Sequence, residues 1–203
     1  MTETPSKPTA VEFWFDPGCP FTWATSAWVR ELEAAGAVTA RWKVMSLAVL
    51  NDGKEIPEQY REYMAKAWQP VRVLVAAEAQ AGPEAVGRLY EALGRRVHVE
   101  GRPADAEVVA EALAEAGLSA DLVAAMDDDT HDAAVRASHA RSQERAGTES
   151  GSPVTAYDGG PGYFGPVVAP TPTGEAARDL LTAMVALSRV GSFSELKRAR
   201  GNL

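Results

Sequence analysis

Apolar positions along this chain follow two different periods, and the change of period divides it into three parts. Residues 11–16, Val-Glu-Phe-Trp-Phe-Asp, form a short β-rich run after a polar start, which predicts a strand. Pro17-Gly18-Cys19-Pro20 reads as a turn, and a helical pattern follows over residues 21–35. Pro20 suits the first helical position, where a missing N–H costs nothing, and Gly36 is a natural stop. Residues 38–45 alternate apolar and polar side chains, the mark of a half-buried strand.

From residue 57 to 147 the strand signal fades, and alanine, glutamate, arginine and leucine dominate. Pro57, Pro70, Pro83 and Pro103 each precede a helical pattern, with Gly82, Gly94, Gly101 and Gly117 as punctuation. Short amphipathic helices are predicted over 71–81, 84–93, 104–116, 120–126 and 132–145. They show no fixed repeat length, which argues against a solenoid. Strands return over 153–157 and 163–168, joined by a turn at 158–162. A long helix over 175–189 and a short helical tail over 194–200 close the chain. The order is β-α-β, a helical block, then β-β-α. It predicts an α/β thioredoxin-like fold with an inserted all-helical cap. The expected division is a flexible tail over 1–9, a core made of 10–56 and 148–203, and a helical insertion over 57–147.

Composition narrows the possible chemistry. The 203 residues, 46% apolar and 24% charged, suit one globular core with a sizeable insertion. A net charge of −8 repels phosphate backbones and argues against a nucleic-acid partner. No apolar run approaches the roughly 18 residues that cross a bilayer, and the polar start does not resemble a signal peptide. A cytoplasmic chain without a membrane partner is expected. The single cysteine excludes an intramolecular disulfide and a zinc site built on several thiolates. Any disulfide chemistry at Cys19 therefore involves a second molecule.

Cys19 stands where a strand ends and a helix begins, so the dipole of the first turn favours its thiolate. A lone cysteine is more often a small buried hydrophobe. The succession of strand, turn, Cys-Pro and helix favours the reactive reading here. Residues 16–23, Asp-Pro-Gly-Cys-Pro-Phe-Thr-Trp, resemble the active-site segment of the DsbA branch of the thioredoxin superfamily. The nearest likeness is to the actinobacterial mycothiol-dependent reductases, also described as nitroreductases. Residues 46–51, Ser-Leu-Ala-Val-Leu-Asn, and 93–98, Leu-Gly-Arg-Arg-Val-His, resemble segments of that family. So do Gly-Ser-Pro-Val at 151–154, like its cis-proline loop, Phe-Gly-Pro-Val at 164–167, and Phe-Ser-Glu-Leu-Lys-Arg at 193–198. The likeness implies a DsbA-type fold, a cis peptide at Pro153, and Ser152 offering its backbone to a bound thiol. One position departs: the pattern is Cys-x-x-Cys, and Thr22 replaces the second cysteine. Thr22 cannot expel a mixed disulfide, although its hydroxyl could donate to the Cys19 thiolate. The site is then monothiol, and the resemblance implies mycothiol as the thiol that completes the cycle.

Other residues have both a plain and a sharper reading. Pro20, Phe21 and Trp23 flank Cys19; Trp23 either walls the site or packs in the core. Trp68, before Pro70, is a candidate for a cleft under the cap. Asn51 is either a turn residue or a ligand contact. His98, beside Arg95 and Arg96, is either part of a solvated surface patch or a contact for a polar, partly anionic thiol. His131 and His139 lack the spacing for a metal on one helix face, and Gly159-Gly160-Pro161-Gly162 does not match a phosphate-binding loop. No metal, flavin or nucleotide is expected. The expectation is a monothiol oxidoreductase in which Cys19 and Thr22 carry the chemistry on a disulfide or electrophilic substrate. A homodimer is compatible with this. Two alternatives stay open: a kappa-class glutathione-transferase or isomerase-like enzyme holding its thiol non-covalently, and a redox-inactive binding relative.

Overall fold

The computed structural model describes residues 7–199. Strand β1 (Thr9–Phe15) leads through α1 (Pro20–Ala34) to β2 (Val38–Val44) and a single turn, α2 (Leu47–Leu50). Next come α3 (Glu58–Ala81), α4 (Pro83–Gly94), a π-helical turn (Arg95–Val99), α5 (Ala106–Glu115) and two 3-10 turns (Ala120–Asp127 and Asp129–His131). Helix α6 (Asp132–Ala146), the hairpin β3 (Val154–Tyr157) and β4 (Gly162–Phe164), and α7 (Gly174–Ser188) complete the order. The sheet runs β2-β1-β3-β4. β1 is parallel to β2, with Phe13 opposite Trp42, and antiparallel to β3, with Phe13 opposite Thr155.

Alternation along β1 sends side chains to both faces of the sheet. Val11, Phe13 and Phe15 join Trp28, Val29 and Leu32 of α1, Ala177 and Leu181 of α7, and the buried stripes of α3 to α5 in one core. Trp14 points the other way and clusters with Met45, Val154 and Ala156, against Ala146 of α6. Each fully buried side chain of this size stabilises the fold by about 1.5–3 kcal/mol. Helix α4 packs on β2, and α6 packs on β2, β3 and β4. The helical block is thus part of the sheet's covering, with α6 supplying its second face. Helix α1 ends in a Schellman arrangement, in which the Ala37 N–H reaches Leu32 O at 2.9 Å and Gly36 takes φ +70°.

Four expectations need correction. β1 begins at Thr9, inside the expected tail, whose residues 1–6 lie outside the described part. Pro70 does not open a helix; it lies buried within the 24-residue α3. An interior proline removes one backbone bond, but Met64, Val71, Leu74 and Val75 bury one continuous stripe that outweighs this loss. The hairpin's second strand stops at Phe164, because Gly165 turns to φ +97° and Pro166 has no N–H for the ladder. Residues 194–199 are not helical, and residue 200 lies outside the described part. Leu196 is 84% exposed, so a helix there would have no apolar face to bury.

Candidate active site

The site forms where β1 ends. The strand delivers Asp16 fully buried, the chain turns through Pro17 and Gly18, and Cys19 becomes the N-cap of α1 with φ −88° and ψ 113°. The Cys19 N–H donates to Asp16 O at 3.1 Å, and Cys19 O accepts the first helical bond from Trp23 N at 3.0 Å. Cys19 is 9% exposed, and its Sγ lies 3.8 Å from Ser152 O. The Ser152–Pro153 peptide is cis, and Pro153 runs directly into β3. Two loops far apart in sequence therefore bring the thiol against a backbone carbonyl at the end of the sheet.

Thr22 lies one turn into α1 and is fully buried. Its hydroxyl does not serve the sulfur; Oγ1 meets Ser152 Oγ at 2.7 Å, while that Oγ accepts the Asp16 N–H at 2.9 Å. The position of the missing second thiol is thus occupied by a hydroxyl pair that ties α1 to the Pro153 loop. Asp16 is the hub of this arrangement. Its Oδ1 accepts from Gly18 N at 2.8 Å and its Oδ2 from Leu47 N, at the start of α2, at 2.6 Å. Burial pushes its pKa up to about 6, against the opposing pull of these two N–H bonds.

The helical insertion closes on the loop from two sides. His98, in the π-helical turn, contacts Pro17 O through Nε2 at 2.8 Å. A carbonyl only accepts, so Nε2 carries the proton. Burial lowers the pKa of His98, opposed by this bond, and favours the neutral ring. The His98 ring stacks on Trp23 at 5.7 Å, and Trp23 in turn meets Tyr90 edge-on at 5.8 Å. Trp23 therefore both packs on the core and supports a side chain of the site. Tyr63 of α3 donates its hydroxyl to Gly18 O at 3.1 Å. The residue is 47% exposed, yet burial and the nearby Asp16 charge push its pKa up to about 12, so it is a neutral donor. A Cβ on residue 18 would come within 2.5 Å of that hydroxyl, so the Tyr63 side chain would have to give way.

The remaining expected residues divide. Pro20 is exposed at the first helical position, and Phe21 is half-buried beside it. Asn51 caps α2, its Nδ2 donating to Leu47 O at 2.8 Å, as its turn reading implies. Trp68 lies between two guanidinium groups, Arg72 at 5.6 Å and Arg136 at 5.1 Å from the ring. Arg95 and Arg96, weighed as anion contacts, are engaged with Glu115, and Arg96 also meets Glu111 at 3.0 Å. His139 is buried with Nδ1 3.5 Å from Ser46 N, whereas His131 pairs with Asp128 at 3.7 Å. Among the described residues, no group of three or more His, Cys, Asp or Glu is placed to hold a metal ion. No described helix is long and apolar enough to cross a membrane. Sequence reasoning overlooked Asp16 and Tyr63. The signals were present: a carboxylate closing an apolar strand, and an aromatic three residues after Tyr60.

The model of the Rv2466c-like family, described as mycothiol-dependent nitroreductase Rv2466c, matches residues 18–198. The chain belongs to this family. It is 33% identical over 196 residues to the uncharacterized protein Rv2286c of Mycobacterium tuberculosis, covering 95% of this chain and 83% of that relative. Among solved structures, the probable DsbA oxidoreductase SCO1869 from Streptomyces coelicolor matches with a TM-score of 0.61 at 20% identity, over 94% of each chain. The cytosolic disulfide reductase DsbM of Pseudomonas aeruginosa with GSH matches at 0.54 and 20%, over 88% of this chain and 100% of that one. These two likenesses establish a DsbA-type thioredoxin-like fold with inserted helices. Family membership makes the chain an oxidoreductase.

Proposed function

We propose that this member of the Rv2466c-like family is a cytoplasmic thiol-dependent reductase that works through one sulfur. The observation that carries the reading is Cys19 at the helix start, facing Ser152 O and the cis Pro153 loop, with a buried threonine where a second thiol would stand. The Cys19 thiolate attacks one sulfur of a disulfide, bonding to it and expelling the other sulfur as a thiolate. Thr22 cannot break the resulting mixed disulfide. A low-molecular-weight thiol, mycothiol or a similar molecule, attacks the substrate-derived sulfur and returns Cys19 as thiolate. That step leaves a mixed disulfide between the small thiol and the substrate fragment, which a second molecule of the thiol resolves, so the two electrons come from two small thiols outside the chain. Membership of a family described as mycothiol-dependent supports mycothiol as that thiol.

Ser152 and Pro153 form the wall opposite Cys19, and the exposed Pro20 with Phe21 forms the near edge. His98, from the insertion, and Trp23, from α1, support the loop and contribute to the thiol-binding surface. Asn51 sits at the end of α2, whose first residue gives its N–H to Asp16. Trp68, held by its two arginines, belongs to the insertion's own packing. The Thr22 hydroxyl is given to Ser152, which disfavours a transferase-like mechanism in which it meets an external sulfur. The division into a core of 10–56 and 148–203 and an insertion of 57–147 is kept in sequence, with α6 lent to the sheet.

The test is mass spectrometry of the reduced chain mixed with a symmetric disulfide of a small thiol, mycothiol disulfide first. One adduct of that thiol should form on Cys19 and disappear when free thiol is added, and Cys19→Ala should form none. The absence of an adduct on the reduced wild-type chain, or undiminished turnover by Cys19→Ala, overturns the reading.

A further inference from the structure

We propose that Asp16 is the positioning residue of the Cys19 loop, its carboxylate fixing the turn at Gly18 to α2 while its main-chain N–H ties the same turn to the Pro153 loop. The three segments meet at this residue and nowhere else in the site described above. The side chain takes one N–H from Gly18 and one from Leu47, at 2.8 and 2.6 Å. The main chain gives its N–H to Ser152 Oγ at 2.9 Å and takes the Cys19 N–H at 3.1 Å. The distance from Sγ to Ser152 O, the contact that frames an incoming sulfur, is therefore held by the Asp16 N–H bond to Ser152 Oγ together with the Thr22–Ser152 hydroxyl pair.

The chemistry of the group matters as much as its place. A carboxylate only accepts hydrogen bonds, and both of its partners are donors. Adding a proton sets an O–H beside a backbone N–H, so one of the two bonds weakens and the loop loses a tie. An asparagine would preserve the turn with Gly18 or the bond to Leu47, but would aim its NH2 at the other donor. Burying a carboxylate is unfavourable, and this one is held only just below neutrality. Such a group suits setting a reactive loop better than stabilising a fold.

The titratable groups around Asp16 are Cys19 on its own loop, Tyr63 of α3, Tyr90 of α4, His98 of the π-helical turn and His139 of α6. Both tyrosines are raised well above neutrality, with burial as the main cause, and do not change charge near pH 6. His98 reaches Pro17 O through an N–H that survives protonation. His139 accepts from Ser46 N, next to Leu47, and its pKa is lowered chiefly by burial. The two histidines must therefore be followed separately from Asp16.

The experiment uses the full reduced chain, labelled with 13C and 15N, across pH 4.5–8. The Asp16 carboxyl carbon should titrate with a midpoint of about 6. The Gly18 and Leu47 amides should shift with that midpoint and not with the His98 or His139 rings. Alkylation of Cys19 by iodoacetamide should depart from a single ionisation curve, with a second inflection at the same pH. That inflection should be lost in Asp16→Asn. The proposal rests on Cys19 as the reacting thiol only in this kinetic arm; the NMR arm needs no reactivity and decides the matter if Asp16→Asn does not fold. Gly18 and Leu47 amides that ignore the Asp16 titration overturn the proposal, as does an inflection unchanged in a folded Asp16→Asn. Coupled amides together with no adduct at Cys19 would keep Asp16 as the loop's hub and reject the reductase.

Discussion

Two charged regions of this molecule differ in what surrounds them. On the insertion, Arg95, Arg96 and Arg102 meet Glu100, Glu111 and Glu115 in a network of ion pairs. Several of these side chains are open to water, including that of Arg95 at 48% exposure. At the end of β1, the single carboxylate of Asp16 is buried and held by two backbone N–H donors. Water screens the first group, so its pairs contribute little. In the second, low polarisability makes protonation, bonding and loop geometry depend on one another. The cluster of arginines attracts attention in the sequence, but the isolated buried acid lies against the chemistry.

The largest expected effect comes from Asp16. Its folded pKa of about 6 lies above the unfolded value near 3.9, so the folded state holds its proton longer. This contribution to stability is complete below pH 4 and is lost as the pH rises through 6, by about 3 kcal/mol. Urea unfolding of the wild type and Asp16→Asn at pH 4 and 7 reads it as a change in their difference. An unchanged difference would remove the contrast between the two regions.

Gly94→Ala tests how the insertion is joined to the site. A Cβ there comes within 2.4 Å of the Trp23 ring, on which His98 stacks. The expected cost is about 1–3 kcal/mol, the usual range for overpacking, seen in thermal unfolding together with an altered rate of Cys19 alkylation. A stability loss without any change in alkylation would show that the insertion does not steer the loop. Thr22→Val keeps the shape but removes the buried bond to Ser152 Oγ, which costs about 1 kcal/mol in a denaturant titration. Arg95→Gln should change stability by less than about 0.5 kcal/mol and leave the adduct at Cys19 unaffected. A larger effect would mean that the exposed network acts on the site after all.

The legible part of the fold was local. The strand, turn and helix around Cys19, the second strand, and the glycine stop of α1 each rest on residue types within a few positions of one another. Pro70 misled because an interior proline is judged locally as a break, whereas the buried stripe of α3 tolerates it. The tail after Phe193 misled in the opposite sense, since its helical composition finds no surface to cover. At the site, Cys19, Ser152 and Pro153 were legible as types, and Thr22 as a departure from a pattern. What Thr22 bonds to was not.

The sequence by itself determined that the chain has one thiol, that this thiol follows a strand and starts a helix, and that no second cysteine lies within it. Those are facts of residue count and short-range geometry. Only the tertiary structure decided that Ser152, far along the chain, turns its carbonyl to the sulfur and its hydroxyl to Thr22. It also decided that His98 and Tyr63 reach back to the loop, and that Asp16 is sealed from water. Burial and long-range hydrogen bonds depend on which surfaces meet when the sheet closes, and that is a property of the whole packed chain.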